Sequence, residues 1–313
     1  METQAQYREF CRQLPDLPVS AQPWYLDAVC EDGQWGAAVV EQSGQYVAAL
    51  PYFLKRKGPF RYLVMPHFVK HLGPYLLPEY RSLKQEHQLY AQLIAQLPAV
   101  HAIKQDLHPS ATNWLPFYWE GFRQTTRYTY QLDLSAGLAL VYANLNRNMR
   151  RNLKKAEAQL QVRHQLSPEQ VYAASQMSFD RQGMDVPYPQ PLFLKHDAAL
   201  AAHGARQMFG AYDAEGRLHA AAYLTWDQHS SYYHLAGDDP AYRHNGASIL
   251  LIYAAICYTH DVLGLPCFDF EGSMAPQIEA IRRQFGARQV PYLRVWKYSS
   301  KLYALLDRNK PWR

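Results

Sequence analysis

Phe268-Asp269-Phe270-Glu271-Gly272-Ser273, followed at 281–287 by Ile-Arg-Arg-Gln-Phe-Gly-Ala, decides how this chain is read. The first run has the form of a short buried strand ending in two carboxylates and a Gly-Ser turn. The second closes a helix and turns a Phe-Gly-Ala corner into a last strand, Val290–Lys297. Residues two apart in a strand share a face, so Asp269 and Glu271 are expected on one side, opposite Phe268 and Phe270. On a face lining a cleft, either carboxylate could take a proton from an attacking amine once burial or its neighbour raises its pKa. A solvated or salt-bridged pair at a strand end fits the same spacing.

Upstream, Arg243-His244-Asn245-Gly246-Ala247-Ser248 lies between a strand and the apolar helix Ile249–Thr259. A glycine at such a junction lets backbone N–H groups face a ligand, and a helix start offers about half a positive charge to an anion. Arg243 would add a charge-assisted bond to a phosphate. Ser248 would cap the helix or donate to the same oxygen. Arg243, Asn245, Gly246, Ala247 and Ser248 are therefore the donor-binding candidates; a plain turn with an N-cap is the alternative. Tyr292 and Lys297, on the final strand, are secondary candidates for handling the leaving group or acceptor.

Strand and helix signals extend outward from this core. Trp35–Glu41 and Tyr46–Phe53 flank a Ser-Gly turn and read as a hairpin. Tyr62–Met65 and Ala99–Asp106 read as strands around the helical spacing of Gln85–Gln96, and Tyr128–Leu134 alternates. The grammar then recurs: helices at Ser167–Gln182 and Leu192–His203, a hairpin at Gln207–Tyr212 and His219–Trp226, a strand at Ser230–Leu235, the apolar helix, the strand Cys267–Phe270 and a helix at Gln277–Gln284. Two halves with the same parts predict duplicated α/β (α+β) domains, 1–138 and 139–313.

The run Asn144–Lys155 repeats Leu145, Met149 and Leu153 as an apolar stripe, with Arg147, Arg150, Arg151, Lys154 and Lys155 around it. Arg150 and Arg151 could hold a pyrophosphate or an RNA backbone; a solvated charged face is the commoner meaning. The loop Met65–Tyr75 places His67, His71 and Tyr75 among two prolines and a glycine, a setting for substrate contacts. His67 and His71 have helical metal-ligand spacing, but the prolines argue against a helix and no third ligand is evident, so no metal is expected. No Gly-x-Ser-x-Gly elbow, Walker loop or Gly-x-Gly-x-x-Gly occurs, which favours direct transfer over a covalent intermediate.

A chain of 313 residues, 48% apolar and 19% charged, is globular rather than disordered. The net charge of +5 suits an anionic ligand without requiring one. Cys11, Cys30, Cys257 and Cys267 are scattered, which fits reduced thiols in a cytoplasmic protein. The polar Met1–Leu14 is unlike a secretory signal. Ala247–Tyr258 is too short to span a membrane.

These motifs resemble the GNAT superfamily, and within it the duplicated Fem-type branch, which includes peptidoglycan aminoacyltransferases and BioF2-like acetyltransferase domains. Arg243-x-x-Gly246-x-Ser248 resembles the acyl-CoA pyrophosphate loop Arg/Gln-x-x-Gly-x-Gly/Ala, with Ser248 at the last position. Phe268–Gly272 and Ile281–Ala287 resemble the Fem-type ending, with Arg282 and Arg283 where that pattern has lysines. Arg147–Ala156 resembles the basic helix that opens the second half. The resemblance implies two GNAT-like domains, each a mixed, mostly antiparallel sheet flanked by helices. It implies transfer of an acyl or aminoacyl group to the primary amine of a small molecule or peptide. Glu271 or Asp269 would accept the proton, and Arg282 and Arg283 would grip a phosphate. Acyl-CoA is the expected co-substrate, without a metal. Charged tRNA is the other donor in the family, although the long charged helical hairpin that tRNA-dependent members can carry is missing here. A degenerate, non-catalytic pair that binds a nucleotide or peptide is the rival reading.

Overall fold

The computed structural model describes residues 2–272 and 274–307; Ser273 of the expected Gly-Ser turn lies outside the described residues. The chain divides into two compact units, Met1–Arg127 with Pro291–Arg313, and Tyr128–Val290. They are therefore not the contiguous halves expected to meet at 138/139: the last strand returns to the first unit.

In chain order the elements are α1 (Glu2–Gln13), α2 (Pro23–Val29), β1 (Gln34–Gln42), β2 (Gln45–Lys57), β3 (Phe60–Val64), β4 (Tyr75–Leu76), α3 (Leu83–Ala95), β5 (Ala102–Asp106), α4 (Leu115–Trp119) and β6 (Arg123–Asp133). There follow α5 (Leu138–Asn144), α6 (Arg147–Glu157), β7 (Gln161–Arg163), α7 (Pro168–Asp180), α8 (Gln190–Ala202), β8 (Arg206–Tyr212), β9 (Leu218–Trp226) and β10 (Ser230–Asp238). The chain closes with α9 (Ala247–Asp261), β11 (Cys267–Asp269), α10 (Pro276–Gln284), β12 (Arg288–Tyr298) and α11 (Lys301–Asp307).

The first unit orders its strands β1-β2-β3-β5-β12, with β4 paired to β2. The second orders them β6-β11-β10-β9-β8-β7. Each order holds one parallel contact, β3 with β5 and β10 with β11, among antiparallel neighbours. Both parallel pairs need a crossover, supplied by a stretch containing α3 in one unit and by α9 in the other. This repeated strand–helix–strand arrangement is the duplication read from the sequence.

The core of the second unit explains its elements. β9 is buried along nearly its whole length, as a strand covered on both faces should be. α9 buries Leu250, Leu251, Ala255 and Ile256 against β8 and β9. Leu145, Met149 and Leu153 are all buried in the same cluster, so the expected stripe forms. The basic helix starts at Arg147 rather than Asn144 because α5 claims Asn144, and the Asn146 side chain then accepts the Asn148 N–H as the N-cap of α6. No described helix is long and apolar enough to cross a membrane.

Candidate functional site in the second unit

β10 and β11 run parallel only from Ser230↔Cys267 to Tyr232↔Asp269. β11 then ends while β10 continues to Asp238, so the two strands part beyond Tyr232. At the same point β10 bulges: Tyr233 pairs with Leu224 and Leu235 with Tyr223, leaving His234 as the extra residue. A bulge disrupts the ladder locally and re-aims a side chain. Here it aims His234 at the chain leaving β11. The His234 Nδ1 lies 2.9 Å from both carboxylate oxygens of Glu271. The imidazole is 1% and the carboxylate 10% exposed, so the pair is largely withdrawn from water.

Glu271 reaches this position through backbone strain. Its φ is +53°, in the left-handed region that non-glycine residues rarely adopt. Gly272 follows at φ +48°, and a Cβ there would stand 2.3 Å from the Tyr128 carbonyl oxygen, so only glycine fits. The strand alternation therefore stops at Asp269, which corrects the expectation that Asp269 and Glu271 share one strand face. Asp269 is instead an internal brace. Its carboxylate accepts hydrogen bonds from the Thr129 hydroxyl, the Gln131 amide at 2.9 Å and the Glu271 N–H at 2.7 Å. Burial raises its pKa to about 6, with those three bonds opposing. Arg282 is partly buried nearby. Burial pulls its pKa down, and the charges of Glu271 and Asp269 partly offset that pull. Its Nη1 is buried without a hydrogen-bond partner.

Beyond Asp238 the chain makes a 3-10 turn, Pro240–Asn245, and enters α9 through Gly246 at φ +83°. A Cβ on Gly246 would meet the Asn152 carbonyl oxygen at 3.0 Å and the Ala156 Cβ at 3.2 Å. Thus α6 presses directly against the loop, and its apolar stripe serves to seat it. The N-cap of α9 is Gly246; one residue earlier, the Asn245 Oδ1 accepts the Ala247 N–H at 2.9 Å. Ser248, expected as a possible cap, stands exposed in the first helical turn instead. Asn245 is itself held: its amide donates to the Nδ1 of His219, and the His219 Nε2–H donates to Asp213 at 2.9 Å. Tyr242 stacks flat on the His219 ring at 3.9 Å. Burial alone would raise the Asp213 carboxyl, but bonds from the Arg217 backbone and guanidinium and from His219 together hold it below the usual carboxylate range.

The other sequence candidates divide by unit. Arg243 is exposed, 3.8 Å from Asp238. Arg150 is half-buried on α6 and Arg151 exposed. Arg283 faces solvent and pairs with Glu279 at 3.0 Å, so only Arg282 of the two arginines is coupled to the carboxylates. In the first unit His71 packs edge-on against Tyr292, 4.3 Å between centroids, and Tyr292 accepts from Arg127 at 3.2 Å. Burial, His108 and Lys70 push His71 well below its ordinary pKa, so it is neutral. Tyr75 is buried beside His108, and His67 is exposed. Lys297 donates to the Glu120 carbonyl oxygen at 2.6 Å and so caps α4. Among the described residues no group of three His, Cys, Asp or Glu is arranged to hold a metal ion.

His234, His219 and Asp213 escaped the sequence reading. A histidine in the apolar context Tyr-Tyr-His-Leu was the signal for the first; nothing local marked the other two.

The acetyltransferase (GNAT) domain family matches residues 143–276, the span from the end of α5 to the start of α10, which holds His234, the Gly246 loop and Glu271 but not Thr129, Gln131 or Arg282. This segment is similar to GNAT domains. The fold of the whole chain agrees. It is similar to the crystal structure of FemX, with 14% identity over 93% of this chain and 94% of that one and a TM-score of 0.68. It is similar to a tandem GNAT protein from the clavulanic acid biosynthesis pathway, with 14% identity, 94% coverage of each and a TM-score of 0.54. It is also similar to a C-terminal domain assigned to a lysylphosphatidylglycerol synthetase from Agrobacterium fabrum, with 14% identity, coverage of 97% and 96% and a TM-score of 0.56. No curated protein sequence matches the chain. The matched segment and the similar folds are consistent with the GNAT resemblance that the motifs carry.

Proposed function

We propose that the second unit is an N-acyltransferase centre that moves an acyl or aminoacyl group onto a primary amine, with Glu271 as the proton acceptor. The observation that carries this reading is the His234–Glu271 pair at the point where β10 and β11 part, on the same strand that leads into the Gly246 loop.

The chemistry follows from the parts. The amine nitrogen attacks the donor carbonyl and must shed a proton; Glu271, directly or through water, takes it. His234 is a positioning residue that fixes the carboxylate by sharing its Nδ1–H between both oxygens. The backbone at the His234 bulge would polarise the carbonyl as negative charge develops on its oxygen. The thiolate or alkoxide then departs with the rest of the donor. The donor's phosphate would lie on the first turn of α9, where helix geometry leaves N–H groups without intrahelical acceptors. Exposed Arg243 and Ser248 fit an anion there, and acyl-CoA fits that requirement as well as charged tRNA does. The name of the similar Agrobacterium domain speaks for an aminoacyl group and that of the GNAT family for an acetyl group.

Native mass spectrometry against a panel of acyl-CoAs and charged tRNAs, followed by turnover with amine acceptors, tests the reading. Donor binding with acyl transfer that Glu271→Gln removes is the expected result. Donor binding without any transfer would instead favour the non-catalytic pair.

A further inference from the structure

Two histidines stand at bulges of neighbouring strands in the second unit, and the proposed chemistry uses only one of them. His234 is the extra residue of β10. His219 is its counterpart on β9: Ala220 pairs with Ala211 and Leu218 with Tyr212, leaving His219 as the extra residue. The bulge re-aims a buried ring, which meets Asp213 on one side and Asn245 on the other. These two contacts fix its proton. Asp213 pairs with Arg217 at 2.6 Å as a carboxylate, which can only accept, so the hydrogen sits on Nε2, 2.9 Å from that carboxylate. The Asn245 Oδ1 already accepts the Ala247 N–H at 2.9 Å, so the amide nitrogen turns to the ring and Nδ1 is the bare acceptor. The imidazole is therefore neutral. Asp213, His219, Asn245 and the Ala247 N–H form one directed chain that ends on the first residue of α9.

We propose that Asp213 and His219 are positioning residues for the donor loop, acting through the Asn245 side chain, and that protonation of His219 loosens the loop and weakens donor binding. The seating of a donor on this loop rests on the acyltransferase reading; the chain of hydrogen bonds does not. A proton on Nδ1 sets two donors, the imidazolium N–H and the Asn245 amide, against each other. Asn245 must then swing its Oδ1 to the ring and release the Ala247 N–H, which undoes the local turn leading into α9. The groups facing the ring are Asp213, with Arg217 behind it, from the β8–β9 turn, and Asn245 and Tyr242 from the 3-10 turn, Tyr242 stacked flat at 3.9 Å. The Asp239 carboxylate is engaged by the Ala241 N–H at 2.8 Å, and α6 meets the loop with Asn152 and Ala156. Asp213 and the stacked Tyr242 hold the ring in both protonation states, so the change falls on Asn245.

Two measurements on the full chain test this. The first needs no donor: nuclear magnetic resonance follows the Ala247 amide and the His219 ring from about pH 8 to about pH 5, the range in which imidazoles titrate. Both should move with one midpoint, and in His219→Gln the Ala247 amide should stay still. Glutamine offers a carbonyl acceptor and an amide donor as the ring does, without titrating. The second is the donor KM, with an acyl-CoA or a charged tRNA. The ratio of the unaltered chain's KM to that of His219→Gln should grow about tenfold across the same range, with kcat at saturating donor following one profile in both. Protonation of the donor's own phosphate affects both chains alike and drops out of that ratio. His219→Leu should raise the donor KM about tenfold at neutral pH with kcat nearly unchanged; should it fail to fold, His219→Gln carries the test. An Ala247 amide that ignores pH, or a KM profile that His219→Gln shares, would overturn the proposal. Linked titration in a chain that binds no donor would leave the positioning chain standing and remove the acyltransferase reading instead.

Discussion

The two parallel strand pairs end in opposite ways. In the first unit the chain after β3 runs back across the end of β5 and is sewn to it. The Leu72 N–H donates to the Asp106 carbonyl oxygen at 2.8 Å, the His108 N–H to that of Gly73 at 2.7 Å, and the Gln105 amide to those of Leu72 and Pro51. Asp106 is then locked by two Arg294 nitrogens, Nε and Nη2. In the second unit side chains meet where the strands part, and the carboxylate held there arrives on strained backbone. One copy of the arrangement spends its strand-end carboxylate on cohesion; the other presents Glu271 beside a histidine. On the proposed reading, only the second copy carries the proton acceptor.

The sharpest way to break that comparison is Glu271→Gln. It should reduce acyl transfer about 10²- to 10⁴-fold with an unchanged circular dichroism spectrum. Asp106→Ala is its counterpart in the first unit. Stranding the partly buried Arg294 should cost about 2–3 kcal/mol in urea unfolding, with turnover per folded molecule retained. Equal loss of turnover in both variants would erase the distinction between the copies.

A smaller effect is expected at Gly272→Ala, where the left-handed backbone and the Tyr128 carbonyl together should cost about 2–3 kcal/mol. Loss of transfer in the residual folded protein would tie the strain to the site. Asp269 gives a pH signature. Its folded pKa, about 6, lies above the usual carboxylate value, so the native state binds the extra proton. The stability it contributes is present below about pH 4 and is lost as pH rises through about 6, by roughly 2–3 kcal/mol. Asp269→Asn should flatten that part of the unfolding-versus-pH curve. Ser248→Asp, a carboxylate on the exposed first turn of α9, should weaken binding of an anionic donor about tenfold in calorimetry and leave the fold at least as stable, because a carboxylate suits a helix start.

Much of this was legible in the sequence because local pattern and tertiary role coincide. The Trp35–Glu41 and Tyr46–Phe53 hairpin, the Leu145-Met149-Leu153 stripe and the apolar run in α9 are fixed by periodicity and burial. Gly246 and Glu271 stood out at strand–helix junctions in the sequence, where a plain turn and a strand-end acid read the same as a site. What escaped depends on register and on distant partners. The bulge that turns His234 toward Glu271 is a mismatch between β9 and β10, invisible in either strand alone. The Asp213–His219–Asn245 chain joins a hairpin to a loop more than 20 residues on. The return of β12 to the first unit was hidden too, since an alternating strand does not say which neighbour it will join.

That return has a consequence for how the protein is made. Asp106 and Arg294 are 188 positions apart, so β5 waits, while the ribosome adds the entire second unit, for the antiparallel neighbour it acquires last. Until then its exposed edge is a template for wrong pairings. A nascent chain arrested just short of Pro291 should carry a finished inner unit and an outer one that still needs a chaperone's cover.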